Sequence, residues 1–269
     1  MNFRIAIIVS TYNWPEALTL SVRSMLRQTL PPDEIIIADD GSGESTRQAI
    51  AALKKESTIP IKHIWHEDNG FRKSEVLNKA IAAAEADYII QVDGDCILER
   101  HFVQDHMAMA EAGFFMCGSR VKLPEDETRR LTSQATTIDL GKVRVSVANP
   151  HFTNSLRIAP LRKFMAKRYG KSIGHMRGCN MAFWRSDLIR VNGNNEDLIG
   201  WGHEDQELGW RLFFAGVQKK MLKFGGVCYH LHHKESDKGK EWKHNEVIER
   251  TIEEKISRCE NGLDKYLSK

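Results

Sequence analysis

The sequence predicts an α/β fold in which helices flank both faces of a mainly parallel sheet. Its first half contains continuous apolar runs, such as "RIAIIVS" (4–10) and "EIIIAD" (34–39), without the polar alternation of a half-exposed strand. Helix patterns separate these runs, and strands that alternate with helices along a chain form parallel sheets. We therefore expect strands buried on both faces, with ligands gathering at the carboxyl ends of the strands.

Each element of the first half follows from its local pattern. Pro15 fits the first turn of a helix that opens near Asn13, because proline tolerates that position. The segment "RKSEVLNKAIAAAEA" is rich in good helix formers and amphipathic. The predicted order is a strand at 4–10, a helix from 13, a strand at 34–39, a helix at about 45–56, a strand at 61–67, a helix at 72–86 and a strand at 88–92.

From residue 120 onward the alternation of strand and helix patterns becomes less regular. We interpret residues 121–175 as an insertion within one fold rather than as a separate domain. Compact segments resume at 178–189, 200–216 and 226–235. The chain therefore divides into residues 1–120, residues 121–235 with the insertion, and a C-terminal helical tail over 236–269. The sequence does not decide whether the helical pattern at 241–267 packs on the core or pairs subunits.

Composition excludes several classes of protein. Lysine and arginine number 39 against 36 acidic residues, and a net charge of +3 gives no case for nucleic-acid binding. No apolar run approaches the roughly 18 residues of a membrane span. The five cysteines are scattered and lack a CxxC pair, which is typical of reduced thiols. We therefore expect a cytoplasmic protein.

Polar clusters follow the predicted strands, and the acid pair Asp93 and Asp95 ends the fourth one. Side chains at i and i+2 of a strand share a side, so both carboxylates can face one point. Hard oxygen ligands of this kind suit Mg²⁺ or Mn²⁺. The alternative is a plain Asp-Gly turn through Gly94. Further clusters at the same edge are Ser10–Thr11, Asp39–Ser42 and Asp68–Gly70.

The glycine-rich "DDGSGEST" is neither a dinucleotide fingerprint nor a phosphate-binding P-loop. GxGxxG would belong after the first strand, where this chain has "STYNWPE". Asp39 and Asp40 are candidates to accept hydrogen bonds from a base or ribose. Ser42 is predicted to be the N-cap of the next helix.

Two later motifs carry candidate chemistry. "HEDQELGWR" places Glu204 and Asp205 at the start of a helix, where the helix dipole alone also favours acids. Trp201 beside two glycines resembles a platform for a sugar. "YHLHH" carries three histidines, which are either metal ligands or residues of an exposed edge: His230, His232 and His233.

At this point the sequence resembles the family-two glycosyltransferases with the GT-A fold. The ordered motifs "VSTYN", "ADDGS", "EDNGFRKSEVLNKAI" and "QVDGDCIL" carry this resemblance over residues 4–100. "GCNMAF", "GWGHEDQELGWRL" and "YHLHH" resemble the carboxyl half shared by β-galactosyltransferases and bacterial chondroitin polymerases. The resemblance implies a mixed, mainly parallel sheet, with residues 1–120 binding a nucleotide sugar and residues 121–235 on the acceptor side.

The resemblance also implies roles for individual residues. Asp205 matches the family's catalytic base and Glu204 its acceptor-binding neighbour. Asp93 and Asp95 match the metal-binding DxD, His233 matches a metal-ligand histidine, and His230 stands where the galactosyltransferases use a methionine ligand. Residues implied to contact the nucleotide sugar are Thr11, Tyr12, Asn13, Asp40, Arg72, Lys73, Asn78, Asp93, Gly94, Asp95, Asn180 and Trp201. His203 departs from the pattern, because close relatives have glycine there.

The implied reaction is transfer of a sugar, with inversion, from a UDP-sugar to an acceptor hydroxyl with the help of Mn²⁺ or Mg²⁺. The acceptor is expected to be a glycan or lipid-linked glycan in surface polysaccharide or lipopolysaccharide assembly. A non-catalytic nucleotide-sugar- or carbohydrate-binding protein on the same scaffold is the alternative. The basic stretch at 157–171 suggests the hypothesis that this face meets an anionic acceptor, or a lipid-linked one through peripheral contact with the inner membrane surface. The alternative is a solvated helix face.

Overall fold

A computed structural model describes residues 3–137, 139, 143–170, 173, 176–234 and 241–267. The first half alternates strand and helix as predicted, with boundaries that differ by at most a few residues. Its elements are β1 (Ile5–Thr11), α1 (Pro15–Leu26), β2 (Glu34–Asp39), α2 (Glu44–Glu56), β3 (Ile61–Trp65), α3 (Lys73–Ala83) and β4 (Tyr88–Asp93).

The second half adds shorter strands and helices. They are β5 (Cys96–Leu98), α4 (Phe102–Met107), β6 (Phe114–Gly118), β7 (Val121–Lys122), α5 (Glu125–Thr132), α6 (Ala159–Gly170), β8 (Asn180–Trp184), α7 (Arg185–Arg190), α8 (Glu204–Phe214), β9 (Gln218–Leu222), β10 (Cys228–His230) and α9 (Glu241–Glu253). Short 3₁₀ turns lie at Phe152–Ser155 and Leu263–Tyr266.

The main sheet has seven strands in the order β3-β2-β1-β4-β8-β6-β9. Strands β1 to β4 are parallel, β8 runs antiparallel to both β4 and β6, and β9 is parallel to β6. A smaller sheet places β10 between β5 and β7. The mixed, mainly parallel α/β architecture predicted from the sequence is confirmed.

Strand β1 shows why the apolar runs are continuous. Ile7 and Val9 join the core on the α1 side, while Ala6 and Ile8 join the core on the α3 side. Both faces of the strand are therefore buried under helices, and every residue from 5 to 9 is apolar. The carboxyl ends of the strands, beyond this apolar run, carry the polar groups Ser10 and Thr11 of β1.

The turn after β2 differs from the prediction. Ser42 does not cap α2, because Gly43 is the N-cap residue and no side chain bonds to the helix end. Instead the Ser42 hydroxyl accepts a hydrogen bond from the backbone N–H of Asn13 at 2.9 Å. Gly43 in turn donates to the Asn13 side chain at 2.9 Å. These bonds join the loops after β1 and β2.

The C-terminal helix is shorter than the pattern over 241–267 predicts. α9 ends at Glu253, and Lys255 has a left-handed backbone with a φ of 51°, which interrupts the helix. Buried His244, Ile248 and Thr251 show that α9 packs on the core. Residues 236–240 of the predicted tail lie outside the described residues.

A buried carboxylate ties the inserted segment to the core. Asp105 of α4 is fully buried and accepts hydrogen bonds from Arg157, Arg162 and the backbone N–H of Gly226. Arg162 is buried and therefore does not contribute to the basic outer face that the sequence suggested, whereas Arg157, Lys163 and Arg168 are exposed. Lys171 lies outside the described residues. Within the described ranges, no helix is both long and apolar enough to cross a bilayer.

Candidate active site

The polar clusters meet in a cavity of about 440 Å³ at the carboxyl ends of β1, β2 and β4. Ser10, Thr11, Asp40 and the Asp93–Asp95 turn line this cavity. Asp68 joins it indirectly, because its carboxylate accepts a hydrogen bond from the Tyr12 hydroxyl at 2.8 Å. The remaining lining residues are Tyr12, Trp14, Ala17, Phe71, Lys73, Arg120, Lys122, Leu123, Trp201, His230, Leu231, His232 and His233.

Gly94 allows the turn that presents the two acids. Its N–H donates to the Ser10 carbonyl at 2.7 Å, and a Cβ at this position would lie 2.8 Å from the same oxygen. Any larger residue would push the turn away from β1. The backbone contact therefore requires glycine between Asp93 and Asp95.

Asp93 is held by groups of the protein. Its carboxylate accepts hydrogen bonds from the Ser10 hydroxyl at 2.9 Å and from the Lys73 ammonium at 2.7 Å. Burial alone would raise the pKa of Asp93, but the charge and hydrogen bond of Lys73, together with His230 and the Ser10 hydroxyl, lower it. Asp93 is therefore an ionised partner of Lys73 at the edge of the cavity.

Asp95 faces two imidazoles. Its Oδ2 lies 3.2 Å from Nε2 of His233 and 3.5 Å from Nε2 of His230. The Nδ1 atom of His230 donates to the Leu231 carbonyl at 2.8 Å, and that of His233 donates to the Lys234 carbonyl at 2.7 Å. When such an imidazole is neutral, its proton is on Nδ1 and its Nε2 carries a lone pair. In both histidines the Nε2 atom faces the Asp95 carboxylate.

The donor set fits a divalent cation. Burial lowers the pKa of His230, so this imidazole is neutral at physiological pH, whereas the bond to Asp95 raises the pKa of His233. The Asp95 carboxylate thus adjoins two imidazoles whose Nδ1 atoms are held by backbone carbonyls, as in metal-bound histidines, and His233 would give up its Nε2 proton on binding a cation. Carboxylate and imidazole donors suit Mn²⁺, and a carboxylate suits Mg²⁺.

Cys96 lies beside this cluster, with its sulfur 3.6 Å from Oδ1 of Asp95. The thiol is fully buried among apolar residues, and burial raises its pKa well above the ordinary value. A protonated thiol is a poor ligand, and Mn²⁺ and Mg²⁺ prefer oxygen and nitrogen. His233 is therefore a better third ligand than Cys96.

The acid pair at the start of α8 lines a second cavity of about 320 Å³. Asp205 accepts a hydrogen bond from the backbone N–H of Gly178 at 2.8 Å. Burial raises the pKa of Asp205 to about 6, and the negative charge of Glu204 adds to the rise. His203 precedes the helix in the left-handed region with a φ of 69°. Asp205 therefore has the pKa of a base that works near neutral pH.

Lys73 connects the two cavities. Its ammonium lies 2.7 Å from Asp93 and 3.6 Å from Glu204. Burial would lower the pKa of Lys73, but the charges of Asp93 and Glu204 raise it, so the side chain is a fixed cation. The residues that line both cavities are Lys73, Asp93, Arg120 and Trp201. The candidate metal ligands and the candidate base therefore border one continuous region.

Trp201 lies in a loop that α9 holds in place. His244 donates from Nδ1 to the Gly202 carbonyl at 2.5 Å, and its Nε2 lies 3.3 Å from the Ile199 carbonyl. Gly200 and Gly202 have positive φ angles of 111° and 108°, which glycine adopts without strain. The tail of the chain thus positions the aromatic side chain between the two cavities.

The predicted nucleotide-contacting residues divide into two groups. Thr11, Tyr12 and Asp40 line the first cavity, and Asn13 lies beside them in the joined loops. The Asp40 carboxylate is already bonded to His66 at 2.7 Å and to the backbone N–H of Arg72 at 3.0 Å. Burial raises the pKa of Asp40 despite these bonds.

Three predicted contacts are not brought into the first cavity. Asn78 is completely buried, and its amide bonds to Asn194 and Glu196. Asn180 is also completely buried and bonds to His106 and to the carbonyls of Ser119 and Gly226. The Arg72 guanidinium bonds to Glu75 at 3.0 Å and to the Glu67 carbonyl at 2.5 Å. We correct the prediction accordingly, since these groups stabilise packing.

Sequence reasoning missed several residues that the fold adds to the site. Arg120 lines both cavities, while Lys122 and Phe71 line the first. Arg120 and Lys122 occur where the sequence pattern loosens, so no periodicity singled them out. Phe71 lies within "EDNGFRKSEV". Its position as an aromatic residue just before a helix was the one sequence signal that could have indicated a role in the site.

Comparisons with known proteins place these features in a family. The profile of glycosyl transferase family 2 matches residues 6–191, and that of the N-terminal domain of galactosyltransferase matches residues 160–234. The chain is 28% identical over 228 residues to validoxylamine A glucosyltransferase of Streptomyces hygroscopicus subsp. limoneus, covering 79% of this chain and 48% of that protein. It is 27% identical over 250 residues to the chondroitin synthase of Escherichia coli, covering 84% and 34%. The chain thus spans half or less of these relatives.

Solved structures share the fold. The S. aureus TarS 1–349 structure in complex with UDP has a TM-score of 0.61 at 15% identity, covering 91% of this chain and 64% of that one. The mannosyltransferase PcManGT from Pyrobaculum calidifontis, in complex with GDP-Man and Mn2+, has a TM-score of 0.58 at 17% identity, covering 86% and 57%. The GT-A fold and the family resemblance predicted from the motifs are both confirmed. With a family profile that matches more than half of its length, this chain belongs to glycosyl transferase family 2.

Proposed function

We propose that this chain is an inverting, metal-dependent glycosyltransferase that moves a sugar from a UDP-sugar to an acceptor hydroxyl. The observation that carries the proposal is that Lys73 pairs with Asp93, beside the Asp95–His230–His233 cluster, and with Glu204, beside Asp205. A metal-bound diphosphate and a general base must border the same sugar for such a reaction, and these two groups border one region.

The nucleotide would occupy the first cavity. Thr11, Tyr12 and Asp40 would contact the base and ribose, and Asp95, His230 and His233 would hold Mn²⁺ or Mg²⁺. The cation would supply Lewis-acid neutralisation of the diphosphate. Lys73, a fixed cation between Asp93 and Glu204, would orient the donor sugar and its phosphates at the entrance to the second cavity. Structures of the same fold solved with UDP and with GDP-Man and Mn2+ support the proposal of a nucleotide-sugar ligand and a divalent cation.

Asp205 would remove the proton of the acceptor hydroxyl. The acceptor oxygen then forms a bond to the anomeric carbon from the face opposite the leaving group. The bond between that carbon and the diphosphate oxygen breaks, and its electron pair leaves with the nucleoside diphosphate. The configuration at the anomeric carbon is therefore inverted. Trp201 would pack against the apolar face of a sugar between the two cavities.

The acceptor is proposed to be a glycan or lipid-linked glycan. Named relatives include chondroitin synthase and hyaluronan synthase, whose names support a role in polysaccharide assembly. The chain covers only 34% and 24% of those two proteins. The acceptor of this chain is therefore argued from its own site and not from the acceptors of those proteins.

A panel of nucleotide sugars tests this function. We expect UDP-sugars with Mn²⁺ to raise the melting temperature, because a ligand at about 100 times its Kd stabilises the folded state by about 2.7 kcal/mol. GDP- and ADP-sugars at the same concentration, and UDP-sugars with EDTA, serve as controls. A protein that no nucleotide sugar stabilises in the presence of Mn²⁺ would contradict the proposal.

A further inference from the structure

The acceptor-side cavity contains two guanidinium groups without a carboxylate partner. Arg120 and Arg177 both line it, and neither forms an ion pair with any acid of the described residues. Two other arginines with little exposure are paired with acids: Arg72 with Glu75, and Arg211 with Glu207. Guanidinium groups that line a cavity without a carboxylate partner can bind an anion there.

Arg120 is the more buried of the two. Its Nε is buried and has no hydrogen-bond partner, and its Nη1 lies 3.7 Å from the Cys179 sulfur, which is a weak acceptor. A buried donor without a partner costs free energy unless a ligand satisfies it. Because Arg120 lines both cavities, a donor diphosphate could also satisfy it.

Arg177 distinguishes the acceptor from the donor. It is exposed, and it lines the second cavity but not the first. The next residue, Gly178, donates its N–H to the Asp205 carboxylate at 2.8 Å. Arg177 and Asp205 line the same cavity, so an anion bound by Arg177 would lie in the cavity that contains the candidate base.

The surrounding charges favour the same conclusion. Lys73 is paired with Asp93 and Glu204, and the proposed function assigns it to the donor, so an anion of the acceptor is left to Arg177 and Arg120. Burial and then the positive charges of Arg177, Lys122 and Arg120 lower the pKa of His151. These three cations therefore lie close to one another around His151.

We infer that the acceptor carries an anionic group, a uronic acid carboxylate or a phosphate monoester, which Arg177 and Arg120 bind beside Asp205. The inference rests on the proposed function, because it takes the second cavity as the acceptor site. Guanidinium groups bind both kinds of oxyanion through paired N–H donors, so the two sources share one chemistry.

Matched pairs of probes test the inference on protein saturated with UDP and Mn²⁺. Methyl β-glucuronide is compared with methyl β-glucoside, and glucose 6-phosphate with glucose, by ligand-observed NMR titration. We expect at least one charged member to bind about tenfold more tightly than its neutral partner, and the pair that shows this identifies the source. Arg177→Gln should remove the preference, Arg177→Lys should restore part of it, and Arg190→Gln, a surface control, should leave it unchanged.

The outcomes separate the two proposals. Unchanged UDP affinity in Arg177→Gln, together with a lost preference for the charged probe, supports the inference. Equal binding of charged and neutral members, a preference that survives Arg177→Gln, or no binding of either charged probe overturns it while the proposed function stands. Failure of the wild-type protein to bind UDP with Mn²⁺ overturns both.

Discussion

Asp205→Asn is expected to lower the rate of sugar transfer by about 10²–10⁴-fold, the usual contribution of a positioned general base. The amide keeps the size of the side chain and can still accept the Gly178 N–H bond through its oxygen. It has no basic oxygen to take the acceptor proton. Mn²⁺-dependent UDP binding should remain within about twofold, because Asp205 does not line the first cavity.

A matched control exists in the same chain. Helix α5 also begins with a Glu-Asp pair, Glu125 and Asp126, and Asp126 is exposed. Asp126→Asn therefore tests the effect of removing the same charge from the first turn of a helix outside the site, and it should keep the wild-type rate. Retention of half of the wild-type rate by Asp205→Asn would exclude this residue as the base.

The pH profile gives a second readout of the same prediction. A base must be ionised, and Asp205 has a pKa of about 6, raised by burial and by Glu204. The transfer rate of the wild-type protein should therefore fall as the pH drops below about 6. Glu204→Gln removes a negative charge that raises this pKa, so the acid limb should move to lower pH.

Asp95→Ala is expected to abolish Mn²⁺-dependent UDP binding. The Asp95 carboxylate is the shared neighbour of two imidazoles, at 3.2 Å from His233 and 3.5 Å from His230. Without it, two imidazoles remain, and they lack the negative charge that attracts a hard cation. Titration calorimetry of UDP with and without Mn²⁺ measures the loss.

The neighbouring histidine supplies the control for this second prediction. The His232 imidazole lies at the edge of the same cavity, but it forms no ion pair with Asp95. His232→Ala should therefore keep the Mn²⁺ dependence, whereas His233→Ala should weaken it. An Asp95→Ala protein whose UDP affinity still rises with Mn²⁺ would show that the cation binds elsewhere.

Much of the fold was predictable, because its signals are local. The apolar residues of β1, β2 and β4 are continuous, so each strand had to be buried on both faces, and its polar ends had to meet at one edge. The placement of Asp93, Asp95 and Asp205 beside a cavity followed from the same reasoning and from the motifs.

The remaining features depend on partners that are distant in the sequence. Asn78 bonds to Asn194, 116 residues away, and Asn180 bonds to His106, 74 residues away, so neither role could be inferred from local patterns. Ser42 was predicted to cap a helix, but its hydroxyl instead accepts a hydrogen bond from the backbone N–H of Asn13 in the loop after β1. Arg120 lies at the site because it is in the turn between β6 and β7. No helical or strand periodicity in the sequence indicates such a residue.

The most direct test of the account is pulsed electron paramagnetic resonance of Mn²⁺ bound with UDP. The arrangement of Asp95, His230 and His233 predicts coupling between the Mn²⁺ electron spin and an imidazole nitrogen. This coupling should persist in His232→Ala and disappear when His230 and His233 are both replaced by alanine. Mn²⁺ that binds with UDP to the wild-type protein without any nitrogen coupling would contradict the shared ion site.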